Sequence, residues 1–368
     1  MVRLGGVGLP VIGRARVYVC GITPYDVTHL GHAATFVWAD TAARALRHSG
    51  AEVEMCRNVT DVDDVLTAAA ARAGSPYDSF AAVQEFAFEQ DMAALGVRRP
   101  THQPRAHTYV RQVVALAAAL LAAGQAYERD GSVYFRGADV PGRAGLARDD
   151  AVRLAEEFGD DPGDPAKDDP LDVAVWRASA LGQPSWPSPW GPGRPGWHAE
   201  CTAMALTIYG SALDLHAGGV DLRFPHHAYE GAMAEAVTGV RPFARAWLHV
   251  GTVQVDGAKM AKSVGNLVLV SDLVRRHSPA AIRLLLLARP WRESWDYHDA
   301  DLADCERRLE RLYTAAGTRA AGEPAARAAE EAAFAALSDD LDVPRALEIA
   351  EESGGPAART VLAVLGLR

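Results

Sequence analysis

A thiol and two imidazoles fall within thirteen residues near the start of the chain: Cys20, His29 and His32. Cysteine offers a soft, metal-ligating sulfur. The tetrad His29-Leu30-Gly31-His32 sets two rings at a helix start, where glycine admits close backbone approach and free N–H groups favour an anion. Such a pair suits charge that develops on a phosphate during transfer. Complementary groups lie far along the chain in Lys259-Met260-Ala261-Lys262-Ser263. Only three of the 37 basic residues are lysines (Lys167, Lys259, Lys262), so two in one loop stand out in an arginine-rich chain. An ammonium is a compact, strongly hydrated point charge. A second thiol, Cys201, and His226 extend the soft-ligand set from separate segments, with Glu230 one helical turn past His226 on the same face. Thiolate, thiolate and imidazole are zinc-type ligands, and a fourth position left open would make the site catalytic.

These groups need a scaffold that returns to one place. Residues 17–19 are a β-prone run, Gly21 and Pro24 break it, and a helical pattern begins at Leu30. That is a strand feeding a helix through a loop, the junction where α/β enzymes bind phosphates. A helix is expected over 33–48, closed by Ser49-Gly50, and a strand over 53–55 leads into Arg57-Asn58-Val59-Thr60-Asp61-Val62-Asp63-Asp64. The stretch 72–165 reads differently, with helical patterns at 80–95 and 104–123 and a hairpin at 127–136 centred on Asp130-Gly131. It is expected to interrupt two halves of a parallel-sheet domain. The Pro-, Gly- and Trp-rich run 183–197 predicts a shaped loop. Helices at 197–209 and 226–237, a strand at 213–216 and a strand pair over 247–255 follow, and the chain is helical and alanine-rich from Asp301. The predicted class is α/β: a Rossmann-type parallel-sheet core split by an insertion, then a C-terminal helical bundle. The expected divisions are 1–71, 72–165, 166–250, 251–300 (lysine loop and stem) and 301–368.

Bulk properties narrow the function classes. At 368 residues, 49% hydrophobic and 23% charged, the chain is an ordinary globular protein of more than one domain. A net charge of −10 argues against a broad nucleic-acid footprint. From residue 301 onward, 8 Arg face 13 Asp plus Glu, so the helical tail is acidic. The four cysteines (20, 56, 201, 305) show no short-range pairing pattern, no hydrophobic leader segment precedes them, and the longest apolar run, 113–123, is too short to span a membrane. A cytoplasmic protein with reduced thiols, no membrane partner and a monomeric state is expected. Gly6-Val7-Gly8 precedes the first long strand and so fails the context of a dinucleotide loop.

The pairing of His29-Leu30-Gly31-His32 with Lys259-Met260-Ala261-Lys262-Ser263 resembles the class I aminoacyl-tRNA synthetases, whose two signatures grip ATP. Within that class the chain resembles cysteinyl-tRNA synthetase and its relatives, in Tyr18-Val19-Cys20-Gly21, Asn58-Val59-Thr60-Asp61-Val62-Asp63-Asp64, Gly193-Arg194-Pro195-Gly196-Trp197-His198, Gly218-Gly219-Val220-Asp221-Leu222 and Phe224-Pro225-His226-His227. The resemblance implies attack of a carboxylate on the α-phosphate of Mg²⁺-bound ATP, giving an aminoacyl adenylate, with His29, His32, Lys259 and Lys262 catalytic. It implies one Zn²⁺ on Cys20, Cys201 and His226, selecting cysteine by its thiolate. It also implies that Cys20, Gly21, Ile22 and Thr23 hold the substrate, that Thr35, Asn58, Val59 and Thr60 line the adenylate site, and that Trp197 walls the cysteine pocket. Gly219, Val220 and Asp221 would meet the ribose and Val253 the adenine.

Two branches of that family differ in acceptor. Gly21-Ile22-Thr23-Pro24-Tyr25-Asp26 resembles the ligases of the mycothiol pathway, which join cysteine to the amine of glucosaminyl-inositol, whereas the synthetases carry Val at the place of Pro24. Glu157-Phe158-Gly159-Asp160-Asp161-Pro162 resembles that branch's ERGGDP signature, with Phe158 and Asp160 departing from it. Only 105 residues (264–368) follow the lysine motif, and the chain stops about where an anticodon-reading part is expected to begin. The expectation is therefore an ATP-dependent, AMP-forming ligase of cysteine and glucosaminyl-inositol, with tRNA not expected as partner. The alternatives are a truncated cysteinyl-tRNA synthetase, or a non-catalytic paralogue that binds cysteine or a nucleotide. Ala261 departs from the serine of the lysine signature, and Glu230 stands where the synthetases have a fourth zinc ligand.

Overall fold

The computed structural model describes residues 1–25, 27–261, 264–318 and 322–367. Val2–Leu4 (β1) and Val7–Leu9 (β2) pair as a hairpin, and Gly5 and Gly6 at φ 62° and 78° make its turn. Gly6-Val7-Gly8 is thus turn and strand. Arg14–Ile22 (β3) is buried along its middle, as a strand covered on both faces must be. It leads to a long helix, Leu30–His48 (α1), and to Glu52–Val59 (β4), which pairs in parallel with β3.

After β4 come two helices, Asp64–Arg72 (α2) and Tyr77–Ala94 (α3). Residues 101–105 then add an irregular fifth strand beside β4, since the N–H groups of Arg57 and Val59 donate to the carbonyls of His102 and Pro104 at 3.0 and 2.9 Å. The expected division at residue 72 therefore moves. Phe88 of α3 meets Phe36 of α1 at 4.9 Å between ring centroids, and Glu89 pairs with Arg57 of β4. α3 belongs to the parallel-sheet core. Its exposed Val83 and Phe86 blur the periodicity that would have said so.

The insertion begins instead at Val110–Ala122 (α4) and continues through Ala126–Arg129 (β5), Ser132–Phe135 (β6), Pro141–Ala144 (α5) and Arg148–Glu157 (α6). Val173–Ala178 (β7) and Gly193–Pro195 (β8) extend the hairpin into an antiparallel sheet of order β5-β6-β7-β8. β8 lies inside the run 183–197 expected to be a loop, and its pairing with β7 carries the antiparallel sheet past the boundary expected at 165, to Pro195.

Trp197–Tyr209 (α7) returns the chain to the core, where Leu213–Gly219 (β9) takes the free edge of β3. His226–Thr238 (α8) crosses to Ala244–Val250 (β10), which completes a parallel sheet of order β10-β9-β3-β4. The ends of strands from both halves of the chain thus gather at one carboxyl edge, where such sheets bind ligands. Val253–Val255 (β11), Ala258–Lys259 (β12), Val270–Arg276 (α9), Pro279–Leu287 (α10) and Trp295–Asp296 (β13) form the stem that carries the lysine loop.

Four helices end the chain: Asp299–Gly317 (α11), Glu323–Ser338 (α12), Val343–Ser353 (α13) and Gly355–Leu365 (α14). They are not a detached bundle, because their apolar faces share one core with α1 and α10. Arg283 of α10 is fully buried there. Its guanidinium bonds Asp40 of α1, the Leu365 carbonyl and the Leu95 carbonyl, while Arg44 holds the same Asp40 carboxylate at 2.7 Å. No helix among the described residues is long and apolar enough to cross a membrane. Replacing Arg283→Met leaves Asp40 with one cation in a dry core, a loss of about 3 kcal/mol. A lower urea midpoint is expected, and an unchanged midpoint would show that this ion pair does not secure the tail.

Candidate active site

Three loops meet at the carboxyl edge of the sheet. At the end of β3, the Gly21 N–H donates to Asn58 Oδ1 at 2.9 Å, and Asn58 Nδ2 donates to Cys201 Sγ at 3.3 Å. A Cβ on Gly21 would stand 1.6 Å from the Asn58 carbonyl oxygen, so this position admits only glycine. The Thr60 hydroxyl donates to the Ile22 carbonyl at 3.1 Å and lies 3.0 Å from the Thr23 hydroxyl. His29 then caps α1, its Nδ1 accepting from the Gly31 N–H at 3.1 Å, and its ring stacks on His32 with centroids 3.8 Å apart. A Cβ on Gly31 would approach the His29 ring to 2.9 Å, which accounts for the glycine between the two histidines.

The lysine loop reaches this place through a short antiparallel tie. Leu30 N–H donates to the Val268 carbonyl at 2.8 Å, and Val270 N–H to the Thr28 carbonyl at 3.2 Å. Lys259 Nζ lies 2.7 Å from Asp221 Oδ2, on the one-turn helix Val220–Arg223 after β9. Lys262 and Ser263 lie outside the described residues.

Beside these groups sits a buried polar cluster. Cys20, Cys201, His226 and Glu230 bring one ligand atom each within 4.8 Å of one another. Glu230 Oε1 accepts from the Cys20 thiol at 3.2 Å and lies 2.7 Å from His226 Nε2, while its Oε2 lies 2.8 Å from His216 Nε2. Burial alone would push the Glu230 carboxyl up, but the His226 and His216 imidazoles outweigh it and hold it well below the usual carboxylate range. Desolvation disfavours charge on His226, yet Glu230 and Cys201 push it up to about 10. His198, kept neutral chiefly by burial, faces His226 with the two Nδ1 atoms 2.9 Å apart. That contact turns Nε2 of His226 toward Cys201 and Glu230. Two thiols, an imidazole and a carboxylate, dry and convergent, fit a zinc-type cation whose charge would replace the protons now shared among them. His216 and His227 form a second close set with the same Cys20 and Glu230.

The histidine and lysine loops and the Cys20, Cys201 and His226 side chains open into one cavity of about 420 Å³. From the first loop it is lined by Cys20, Gly21, Ile22, Thr23, His29, His32 and Thr35, and from β4 by Asn58 and Thr60. Trp197, Cys201 and His226 bound the metal-ligand side, where the Trp197 ring stacks on His226 at 4.2 Å. Gly219, Asp221, Val253 and Lys259 line it from the second half of the chain. Two expected residues do not reach it. Val59 is buried in the sheet with its N–H bonded to Pro104, and Val220 turns outward, 37% exposed. A strand's alternation explains the first, since neighbours of Asn58 and Thr60 must point the other way.

Other residues are placed at the site only by the structure. His198 and His216 support the metal-ligand cluster, and Asp63 and Phe158 line the cavity. His216 carried one legible signal, an imidazole within the apolar run of β9; Phe158, which follows α6, stood out only as a departure from the ERGGDP signature. Exchanging Gly21→Ala forces β3 and β4 apart and is expected to lower stability by about 3 kcal/mol. Thermal unfolding would read it, and a variant as stable as the parent would mean that the Asn58 clamp yields readily.

Residues 11–307 match the family described as tRNA synthetases class I (C) catalytic domain. The L-cysteine:1D-myo-inositol 2-amino-2-deoxy-alpha-D-glucopyranoside ligase of Thermobifida fusca is 45% identical over 342 residues, which are 92% of this chain and 82% of that protein. The Mycobacterium marinum ligase of the same name is 47% identical, over 90% of this chain and 82% of its own length. A cysteine--tRNA ligase of Halorhodospira halophila is 42% identical, over 92% of this chain and 73% of its own. The solved methionyl-tRNA synthetase of Mycobacterium tuberculosis, in complex with methionyl-adenylate, superposes with a TM-score of 0.64 at 18% identity, covering 96% of this chain and 82% of that one; it speaks for the fold alone. The split parallel sheet and the matched span agree, and the chain belongs to the class I tRNA synthetase (C) catalytic-domain family, as a ligase of the synthetase type.

Proposed function

We propose that this chain joins L-cysteine to the amine of glucosaminyl-inositol with ATP, through a cysteinyl adenylate, releasing pyrophosphate and AMP. The observation that carries the reading is the shared cavity: soft metal donors and phosphate-handling side chains face the same space. Cys20, Cys201 and His226 would hold a zinc ion, with Glu230 beside them. Such an ion would offer a soft ligand position to the substrate thiolate, which a serine hydroxyl would not fill as well.

The chain's own groups divide the remaining work. Thr23 and Thr60 hold the amino acid near Cys20, and Trp197 closes the pocket over it. The substrate carboxylate attacks the α-phosphorus of ATP, which arrives as its Mg²⁺ complex, and pyrophosphate leaves. His29 and His32 donate toward the α-phosphate, where charge builds in the transition state. Lys259 and Lys262 act as point charges on the leaving group. Gly219 and Asp221 meet the ribose, so the Lys259–Asp221 contact must part when the nucleotide enters. Val253 borders the adenine.

A small amino sugar is favoured over tRNA as acceptor. Relatives of that printed name match at 45–47% identity over about 90% of the chain. The helices α11–α14 add an acidic surface, poorly suited to a polyphosphate backbone. Cysteine-dependent exchange of pyrophosphate into ATP is expected, and its absence in the zinc-loaded protein would overturn the reading. Offered both acceptors, the charged protein is expected to acylate glucosaminyl-inositol; cysteine transfer to tRNA alone would assign the other branch.

Asn58 offers an independent check on the metal. The substitution Asn58→Ala removes the hydrogen bond to the Cys201 sulfur, and a loss of metal retention of about 10-fold or more is expected against a competing chelator. Asn58→Asp keeps an acceptor for Gly21 and lacks the donor, so it should lose metal similarly. Retention equal to the parent in both would separate Asn58 from the metal centre.

A further inference from the structure

The segment Asp61-Val62-Asp63-Asp64 carries three carboxylates, and the structure treats them differently. Asp61 is taken by His107, through both its backbone N–H and its ring. Asp64 points outward to Arg194 Nη2 at 2.9 Å. Asp63 lines the cavity. Its Oδ1 caps α2, accepting from the N–H groups of Val65 at 2.7 Å and Leu66 at 3.4 Å. Its Oδ2 has no hydrogen-bond or ion-pair partner among the described residues. Among the described residues, two aspartates line the cavity: Asp221 is ion-paired with Lys259, and Asp63 makes no ion pair.

The neighbourhood of Asp63 is suited to a polar ring with one basic nitrogen. Val65 and the Phe158 ring line the same cavity and offer apolar surface, and Trp197 lines it too. Pyranose faces pack against such surfaces, while a carboxylate nearby attracts an ammonium. The charged or titratable groups facing Asp63 are Asp64 on its own loop, Arg194 from β8, and the carboxyl of Glu200 from α7, which is fully buried and without a hydrogen-bond partner. Burial pushes the Asp63 carboxyl up, the direction that makes a carboxylate a better proton acceptor.

We infer that Asp63 receives the proton of the acceptor's amine, and that Asp63, Val65 and Phe158 bound the place of an amino sugar. The inference rests on the function proposed above. In this step the lone pair of the neutral amine attacks the cysteinyl carbonyl carbon and a carbon–nitrogen bond forms. The carbon–oxygen bond to the phosphate breaks, and its electrons leave on AMP. The proton shed by the nitrogen passes to Asp63 Oδ2 and then to solvent.

Two nucleophiles test it. Hydroxylamine is small and mostly unprotonated near neutrality, so it captures cysteinyl adenylate as a hydroxamate with no need of a base. Glucosaminyl-inositol needs both the site and the base. Asp63→Asn and Asp63→Ser retain a helix cap and lack the carboxylate. In both, the ratio of amide to hydroxamate is expected to fall about 100-fold, with partial recovery as pH rises and the free amine deprotonates in solution. An unchanged ratio overturns the inference. So does a parallel fall of both products with a raised KM for cysteine in pyrophosphate exchange, which would assign Asp63 to the cysteine ammonium. Hydroxamate without any amide from the unmutated protein overturns the acceptor reading, and this assignment with it. If no hydroxamate forms at all, the adenylate itself is refuted.

Discussion

The double pairing of β3 is the constraint on which the cavity depends. One edge takes β4, from the same half of the chain, and the other takes β9, which follows the whole insertion. Parallel strands bring like ends together, so Cys20, Asn58–Thr60 and Gly219 arrive at one edge whatever happens between them. The insertion then has only to return its ends to neighbouring places. It does so through α7, whose first turns carry Cys201 beside Cys20 and Asn58 and set Trp197 and His198 against His226 of α8.

Charge is handled differently at the two ends of that cavity. At the Cys20 end the ionisable groups are wholly dry, and each depends on a neighbour: Glu230 on two imidazoles, His226 on Glu230 and Cys201. Such a set is costly to keep without a compensating cation, and its compactness follows from that cost. At the His29 end the groups lie at the mouth of a helix and on an exposed loop. There a stacked imidazole pair and an exposed lysine can meet a phosphate without a large rearrangement of the core.

The sequence was most informative where chemistry and local structure coincide. Cys20, His29 and His32 could be placed on a strand–loop–helix junction because strand, breaker and helix patterns follow one another there. α7 runs over Trp197–Tyr209, as its pattern predicts. The positions of Cys201, His226 and Lys259 in the same cavity came from family resemblance, since spacing across such separations carries no geometry. What stayed hidden has physical causes. The strand at 101–105 is too short and irregular to alternate, and β7 and β8 find each other across a proline-rich loop. α3 looked foreign to the core because Val83 and Phe86 face outward. Polar partners such as His198 and His216 are recognisable only by what they touch.

The burial of Arg283 bears on the order in which the molecule is made. Asp40 lies in the first long helix, yet one of its two cations comes from residue 283, and that guanidinium is itself held by the carbonyl of Leu365 in α14. On the ribosome, α1 therefore emerges early and keeps an incompletely compensated carboxylate until α10 has been synthesised. The first long helix is thus completed only by a helix made after the whole insertion, and a chain interrupted before α10 would leave α1 incomplete.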